Sequence, residues 1–130
     1  MSLIYSIVGA MLAKVDCVTM GAGIPKQIPL LLDKISNGES VLTYNVDVND
    51  FEHKNITQVF NVEEFFGSKL KEMKRPDFIP IVTSHILAQD LLNRSGSSIE
   101  GFVVENHFAG GHNAPPRGGV KINHISLYRT

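Results

Sequence analysis

The chain has 130 residues, 43% of them hydrophobic, which is one domain's worth of sequence with enough apolar side chains for a real core. Twelve Lys and Arg against thirteen Asp and Glu leave a net charge of -1, and the basic residues are scattered, which argues against nucleic acid or another polyanion as partner. The single cysteine, Cys17, excludes an internal disulfide and fits a reducing compartment; its apolar, strand-like surroundings predict inert packing.

Leu3-Ile4, Ile7-Val8 and Met11-Leu12 recur at helical spacing and predict a core-packed helix over residues 3–13. No basic residue precedes them as in a secretory signal, and the run falls short of the ~20 residues of a membrane span, so a soluble cytoplasmic protein is expected. Val15–Met20 reads as a first strand ending at Gly21-Ala22-Gly23. Ile28, Leu31, Leu32 and Ile35 form the stripe of a second helix, opened by Pro25 or Pro29 and closed by Gly38. Val41–Val48 reads as a second strand and Asn49–Thr57 as a polar loop. Asn61 and Glu64 suggest a capping box for a third helix, with Phe66, Leu70 and Met73 on one face and Pro76 as its stop. Phe78–Val82 reads as a third strand, although Pro80 counts against a central position. Ser84 caps a fourth helix carrying Leu87, Leu91 and Leu92 and closed by Gly96, and Gly101–Glu105 is a fourth strand. The last residues, 120–130, carry no strong element signal.

Alternating helices and strands imply an α/β domain over 1–130 with about four parallel strands, flanking helices and right-handed crossovers. In such sheets ligands bind at the C-terminal strand edge. Three segments follow strand ends: Gly21–Pro25, Thr83-Ser84-His85, and the long stretch 106–119. The last contains Ala109-Gly110-Gly111-His112-Asn113-Ala114-Pro115-Pro116-Arg117-Gly118-Gly119, whose four glycines and two prolines exclude a regular helix or strand. Gly-rich turns leading into helices expose backbone N–H groups and suit phosphate.

These residues resemble the nitronate monooxygenase family, also called 2-nitropropane dioxygenases. The similarity lies in Val15–Pro25, Ile79–Ser84, Val103-Val104-Glu105 and Ala109–Gly118, in the family's order, with the AGGH stretch and its NAPPRG continuation the most specific. The resemblance implies an FMN-dependent oxidoreductase on a (β/α)8 (TIM) barrel, acting on a small-molecule nitronate or nitroalkane with oxygen. It gives His112 the catalytic proton transfer beside the flavin. It makes Gly21, Ala22, Gly23, Ala109, Gly110 and Gly111 cofactor-binding residues, with Ser84 near the ribityl chain. A neutral imidazole, with an ordinary pKa of ~6.5, suits transfer near neutrality. The family's first barrel strand, with its Ala-Pro-Met type motif, and its phosphate-binding C-terminal half have no counterpart here, and Asn106-His107-Phe108 departs from the small residues expected before AGGH. A closed barrel takes ~250 residues, so the expectation is a partial barrel.

Two other readings are carried. A flavin enoyl-reductase of the same lineage would require a nicotinamide donor. A non-catalytic module would pair through exposed sheet edges into a homo-oligomer. No metal site is expected, since His107, His112 and His124 lack zinc-ligand spacing. His53 and His85 read as surface residues, Arg117 as a loop arginine, Glu105 as a group orienting the loop after it, and Phe60, Phe65 and Phe66 as packing residues.

Overall fold

The computed structural model describes residues 3–21, 25–46 and 56–105. The helix expected at the start is α1, Leu3–Leu12, which buries Ile4, Ile7, Val8 and Met11. It leads through Lys14, at φ 59°, into β1, Cys17–Met20. Helix α2, Ile28–Ser36, has Pro29 in its first turn and buries Ile28, Leu31, Leu32 and Ile35. Gly38 closes it as expected, at φ 70°, where a Cβ would lie 2.9 Å from the Leu70 carbonyl oxygen.

The expected second parallel strand is not in the parallel sheet. β2, Val41–Val46, pairs antiparallel with β3, Ile56–Asn61, as a separate two-stranded sheet. β3 falls partly inside the expected loop 49–57: Ile56, Thr57, Val59 and Phe60 supply the β-branched and aromatic content that a pleated surface accepts. Its inward residue Phe60 is buried to 2%.

The third helix is shorter than expected. The Asn61 side chain caps α3, Val62–Phe66, by accepting from the Glu63 and Glu64 amides, but Gly67 then turns left-handed at φ 71° and ends the helix. Leu70 and Met73 still pack on the core, from an extended segment rather than a helical face. Ser36 Oγ donates to the Met73 carbonyl at 2.6 Å, and the Met73 amide donates to the Ser36 carbonyl at 3.0 Å, stitching this segment to the end of α2.

β4, Asp77–Val82, is the central strand of a three-stranded parallel sheet in the order β1-β4-β5, where β5 is Val103–Val104. Pro80 therefore occupies the central strand after all. Phe78 O accepts from Glu100 N and Val82 O from Glu105 N, so alternate residues of β4 turn their polar groups toward β5. The missing Pro80 N–H faces that side, where the ladder begins only at Ile81 and Val103. Helix α4, His85–Arg94, follows β4.

The two faces of this sheet differ. Val18 and Met20 stand opposite Phe78 and Pro80 in register, and with Val82 they turn toward the core shared with α1 and α2. Cys17, Thr19, Ile79, Ile81 and Val103 turn to the other face by the alternation of strands. That face is open among the described residues: Cys17 is exposed, which corrects its expected burial, and Val103 is 42% exposed. The architecture is thus mixed α/β with a three-stranded parallel sheet and flanking helices, and its described strands do not close into a barrel. No helix among the described residues is long and apolar enough to cross a membrane.

Candidate functional site at the strand C-termini

The parallel register carries the ends of β1, β4 and β5 to one edge. Gly21 follows Met20, Ser84 lies two residues beyond Val82, and Glu105 follows Val104. Of the sequence-predicted site residues, Gly21 and Ser84 are therefore brought to one side of the sheet. Ala22, Gly23, Ala109, Gly110, Gly111 and His112 lie outside the described residues, as do His53, His107, Arg117 and His124.

Gly21 has a packing reason for lacking a side chain. A Cβ there would stand 3.0 Å from Ile81 Cδ1 and 3.2 Å from Ile81 Cβ. The first atom is the end of a flexible side chain, but the second is anchored to the central strand, so an alanine would require Ile81 to give by a few tenths of an ångström. The backbone at the end of β1 thus runs close against the open face of the sheet.

Ser84 also has a local task. It holds extended geometry, φ -150° and ψ 153°, and its Oγ accepts from the Leu87 amide at 3.3 Å as the N-cap of α4. Accepting that bond leaves the hydroxyl proton available as a donor. The Ser84 carbonyl accepts from Ala88, so the His85 and Ile86 amides at the start of the helix have no carbonyl within it to pair with. His85 is exposed, as expected. The Glu105 amide donates to the Val82 carbonyl at 2.9 Å and extends the β5 ladder to the last described residue, from which 106–119 continues.

Sequence reasoning missed the densest polar cluster among the described residues, at the opposite end of the same sheet. Arg75 precedes β4, with its side chain 18% exposed. Its Nε donates to Asp33 Oδ1 at 2.6 Å, Nη1 to Glu100 Oε1 at 3.0 Å and to the Pro76 carbonyl at 3.1 Å, and Nη2 to the Ser98 carbonyl at 2.8 Å. Glu100 Oε2 accepts from the Phe78 amide at 2.7 Å, and Oε1 accepts from Ser98 Oγ at 2.6 Å. Partial burial works to raise the Glu100 pKa. The Phe78 amide, the Ser98 hydroxyl and the Arg75 guanidinium together outweigh it and hold the carboxyl below its ordinary range. The one signal in the sequence was an arginine directly before the Pro that opens a strand, which is common and unspecific.

The expected packing role is met by buried Phe60, whereas Phe65 and Phe66 are 59% and 40% exposed and pack through ring contacts. Phe60, Phe65 and Phe66 cluster with Tyr5 of α1, at centroid separations such as 4.7 Å for Tyr5–Phe60 and 4.9 Å for Phe65–Phe66. Among the described residues no group of three or more His, Cys, Asp or Glu could hold a metal ion.

The fold and this edge define a class, an α/β domain whose parallel strands gather a glycine turn and a helix N-terminus at their C-terminal ends. No family model, curated protein or solved structure matches the chain.

Proposed function

We propose that the chain is part of a flavin-dependent oxidoreductase of the nitronate monooxygenase type, built on a segment of a (β/α)8 barrel. The observation that carries this reading is the common edge of β1, β4 and β5. Three resembling segments reach it, at Gly21, Ser84 and Glu105, and the chain continues from Glu105 toward Ala109-Gly110-Gly111-His112. The open sheet face supports it as well. Parallel sheets are covered on both faces, and the face of Thr19, Ile79, Ile81 and Val103 is the one a barrel would turn inward.

The described residues fit FMN in two respects. The chain approaches closely at Gly21 without a side chain, and Ser84 keeps a hydroxyl proton to donate beside the unpaired amides of α4. Gly21, Ala22, Gly23, Ala109, Gly110 and Gly111 would border the ring system and Ser84 the ribityl chain. FMN, when bound, supplies the electron chemistry and the reaction with oxygen, which no side chain here performs. His112 would accept the acidic α-proton of a nitroalkane at a neutral imidazole nitrogen and hold it while the carbanion is oxidised. Saturable FMN binding retained in His112→Ala, with nitronate oxidation abolished, is the expected result. Absence of FMN binding at high micromolar concentration would overturn the reading. NADH-dependent turnover would favour the enoyl-reductase relative instead.

One observation favours a second reading, a non-catalytic module that pairs with another copy. The open face ends at Val103, and the neighbouring Val104 is 77% exposed on the edge strand β5. A stable dimer that binds no flavin would support it, whereas a monomer that binds FMN with micromolar affinity would exclude it.

A further inference from the structure

Away from the sheet edge, three cations that are distant in sequence line one groove. It has a volume of about 350 Å³, and its wall runs along α2 and includes Thr43 and Asn45 of β2 and the end of α4. Among the described residues Lys26, Lys34 and Arg94 are its charged residues, and no described carboxylate lines it. Lys26, Leu30 and Lys34 recur every fourth residue and so share one stripe of α2 and its lead-in turn.

Among the described residues two of these cations have one carboxylate partner each and the third has none. Lys26 is half-buried and makes no ion pair among the described residues. Lys34 meets Glu39 at 3.9 Å, with its side chain 30% exposed. Arg94 Nε binds Asp90 Oδ1 at 2.7 Å, and its two terminal nitrogens have no partner among the described residues. The first turn of α2 adds positive potential, because it contains no acidic residue and no side chain caps it. The groove is also braced. The Gln27 side chain donates to the Asn45 carbonyl at 2.9 Å and accepts from the Asn45 amide at 3.0 Å, tying the start of α2 to β2. Leu31 is buried and Leu30 is 45% exposed, giving the groove an apolar strip between its charges.

We propose that this groove binds a phosphate-bearing small molecule, a phosphomonoester or diphosphate ester. Lys26, Lys34 and Arg94 would hold the anionic group, and the organic part would lie on Leu30. A phosphate ester carries the charge and the several acceptor oxygens that suit a groove lined by three cations, whereas a single carboxylate offers only two oxygens. The size suits a small ligand rather than a polyanion, and the scattered charge of the remaining surface offers no track for one. The groove is a different place from the strand edge of the flavin reading, although FMN, a phosphomonoester, belongs to its ligand class.

The test is calorimetric titration of the full chain with inorganic pyrophosphate at fixed ionic strength, alongside Lys26→Gln, Lys34→Gln and Arg94→Gln. Lys71→Gln, at an exposed lysine that does not line the groove, is the control. Circular dichroism confirms that each variant is folded. The expected result is one saturable site, weakened about tenfold or more by each groove variant and unchanged by Lys71→Gln. No saturable binding up to ~10 mM, or weakening as large in Lys71→Gln as in the groove variants, would overturn the proposal. Because FMN is itself a phosphomonoester, its binding is read in the groove variants as well. Pyrophosphate saturating, with FMN binding absent or abolished by the groove variants, would remove the flavin reading and leave the groove standing. FMN saturating equally in the groove variants, without any pyrophosphate site, would do the reverse.

Discussion

The two ends of one parallel sheet are built on opposite plans. Before β4 and β5, Arg75, Asp33, Glu100 and Ser98 interlock through short hydrogen bonds, and four of the five guanidinium N–H groups find an oxygen. After the same strands the residues are small or exposed: Gly21 without a side chain, Ser84 committed to a helix cap, and Glu105 at the last rung. Parallel α/β sheets bind ligands at the C-terminal ends of their strands, which leaves the opposite end to be built for stability. Side chains that hydrogen-bond one another have little left to offer a ligand. Backbone amides at a helix start, and glycines that let the chain come close, have such capacity.

The comparison breaks first at Arg75. Arg75→Ala leaves Asp33 and Glu100 without their cation and should cost about 2–3 kcal/mol, a melting temperature lower by roughly 10 °C, because both carboxylates are only partly solvated. FMN affinity of the folded fraction should not change. A loss of FMN affinity larger than the loss of stability explains would mean that the two ends are not separate.

Gly21→Ala should cost about 1–2 kcal/mol through overpacking against Ile81. Adding Ile81→Val removes the nearest atom and should restore part of the loss, which a double-mutant cycle by urea denaturation would read as coupling. Additive effects would show that the contact with Ile81 does not explain the glycine.

Ser84→Ala should cost about 1 kcal/mol as a lost helix cap, and Ser84→Asp should keep the cap. If Ser84 also serves the flavin, Ser84→Asp weakens FMN binding despite intact stability, because it replaces a donor by a charge.

The smallest effect is on pH dependence. The folded Glu100 carboxyl lies below its unfolded value of ~4.3, so its stabilisation is present above that value. It is lost as pH falls through the lowered folded value. Glu100→Gln should flatten the acid limb of a stability profile below about pH 5. A profile that keeps the same slope would place the acid sensitivity elsewhere.

The sequence carried the elements governed by local rules. The stripe Ile28, Leu31, Leu32 and Ile35, the Ser84 cap and the Gly38 stop all depend on neighbours within a few residues, and all hold. Glycine at 67 defeated the third helix, because a favourable Leu70 and Met73 spacing does not reveal that these side chains reach the core from an extended chain. The β2–β3 hairpin was hidden because polar Thr57 and Gln58 interrupt the apolar pattern of β3, whose pairing with β2 is a long-range fact. Cys17 was misjudged because a short apolar run does not tell which sheet face each residue takes. Of the candidate site, the shared edge of Gly21 and Ser84 followed from alternation alone. The Arg75 cluster and the cationic groove did not, since each joins residues far apart in the chain.

The central claim is that the C-terminal edge of β1, β4 and β5 receives the ligand while the Arg75 end is structural. Amide chemical-shift mapping by NMR during an FMN titration tests it most directly. The account predicts saturable shifts concentrated at Gly21, Thr83–Ile86 and Glu105, with Asp33, Phe78 and Glu100 unmoved. Shifts centred on the Arg75 end, or none at either end at high micromolar FMN, would contradict it.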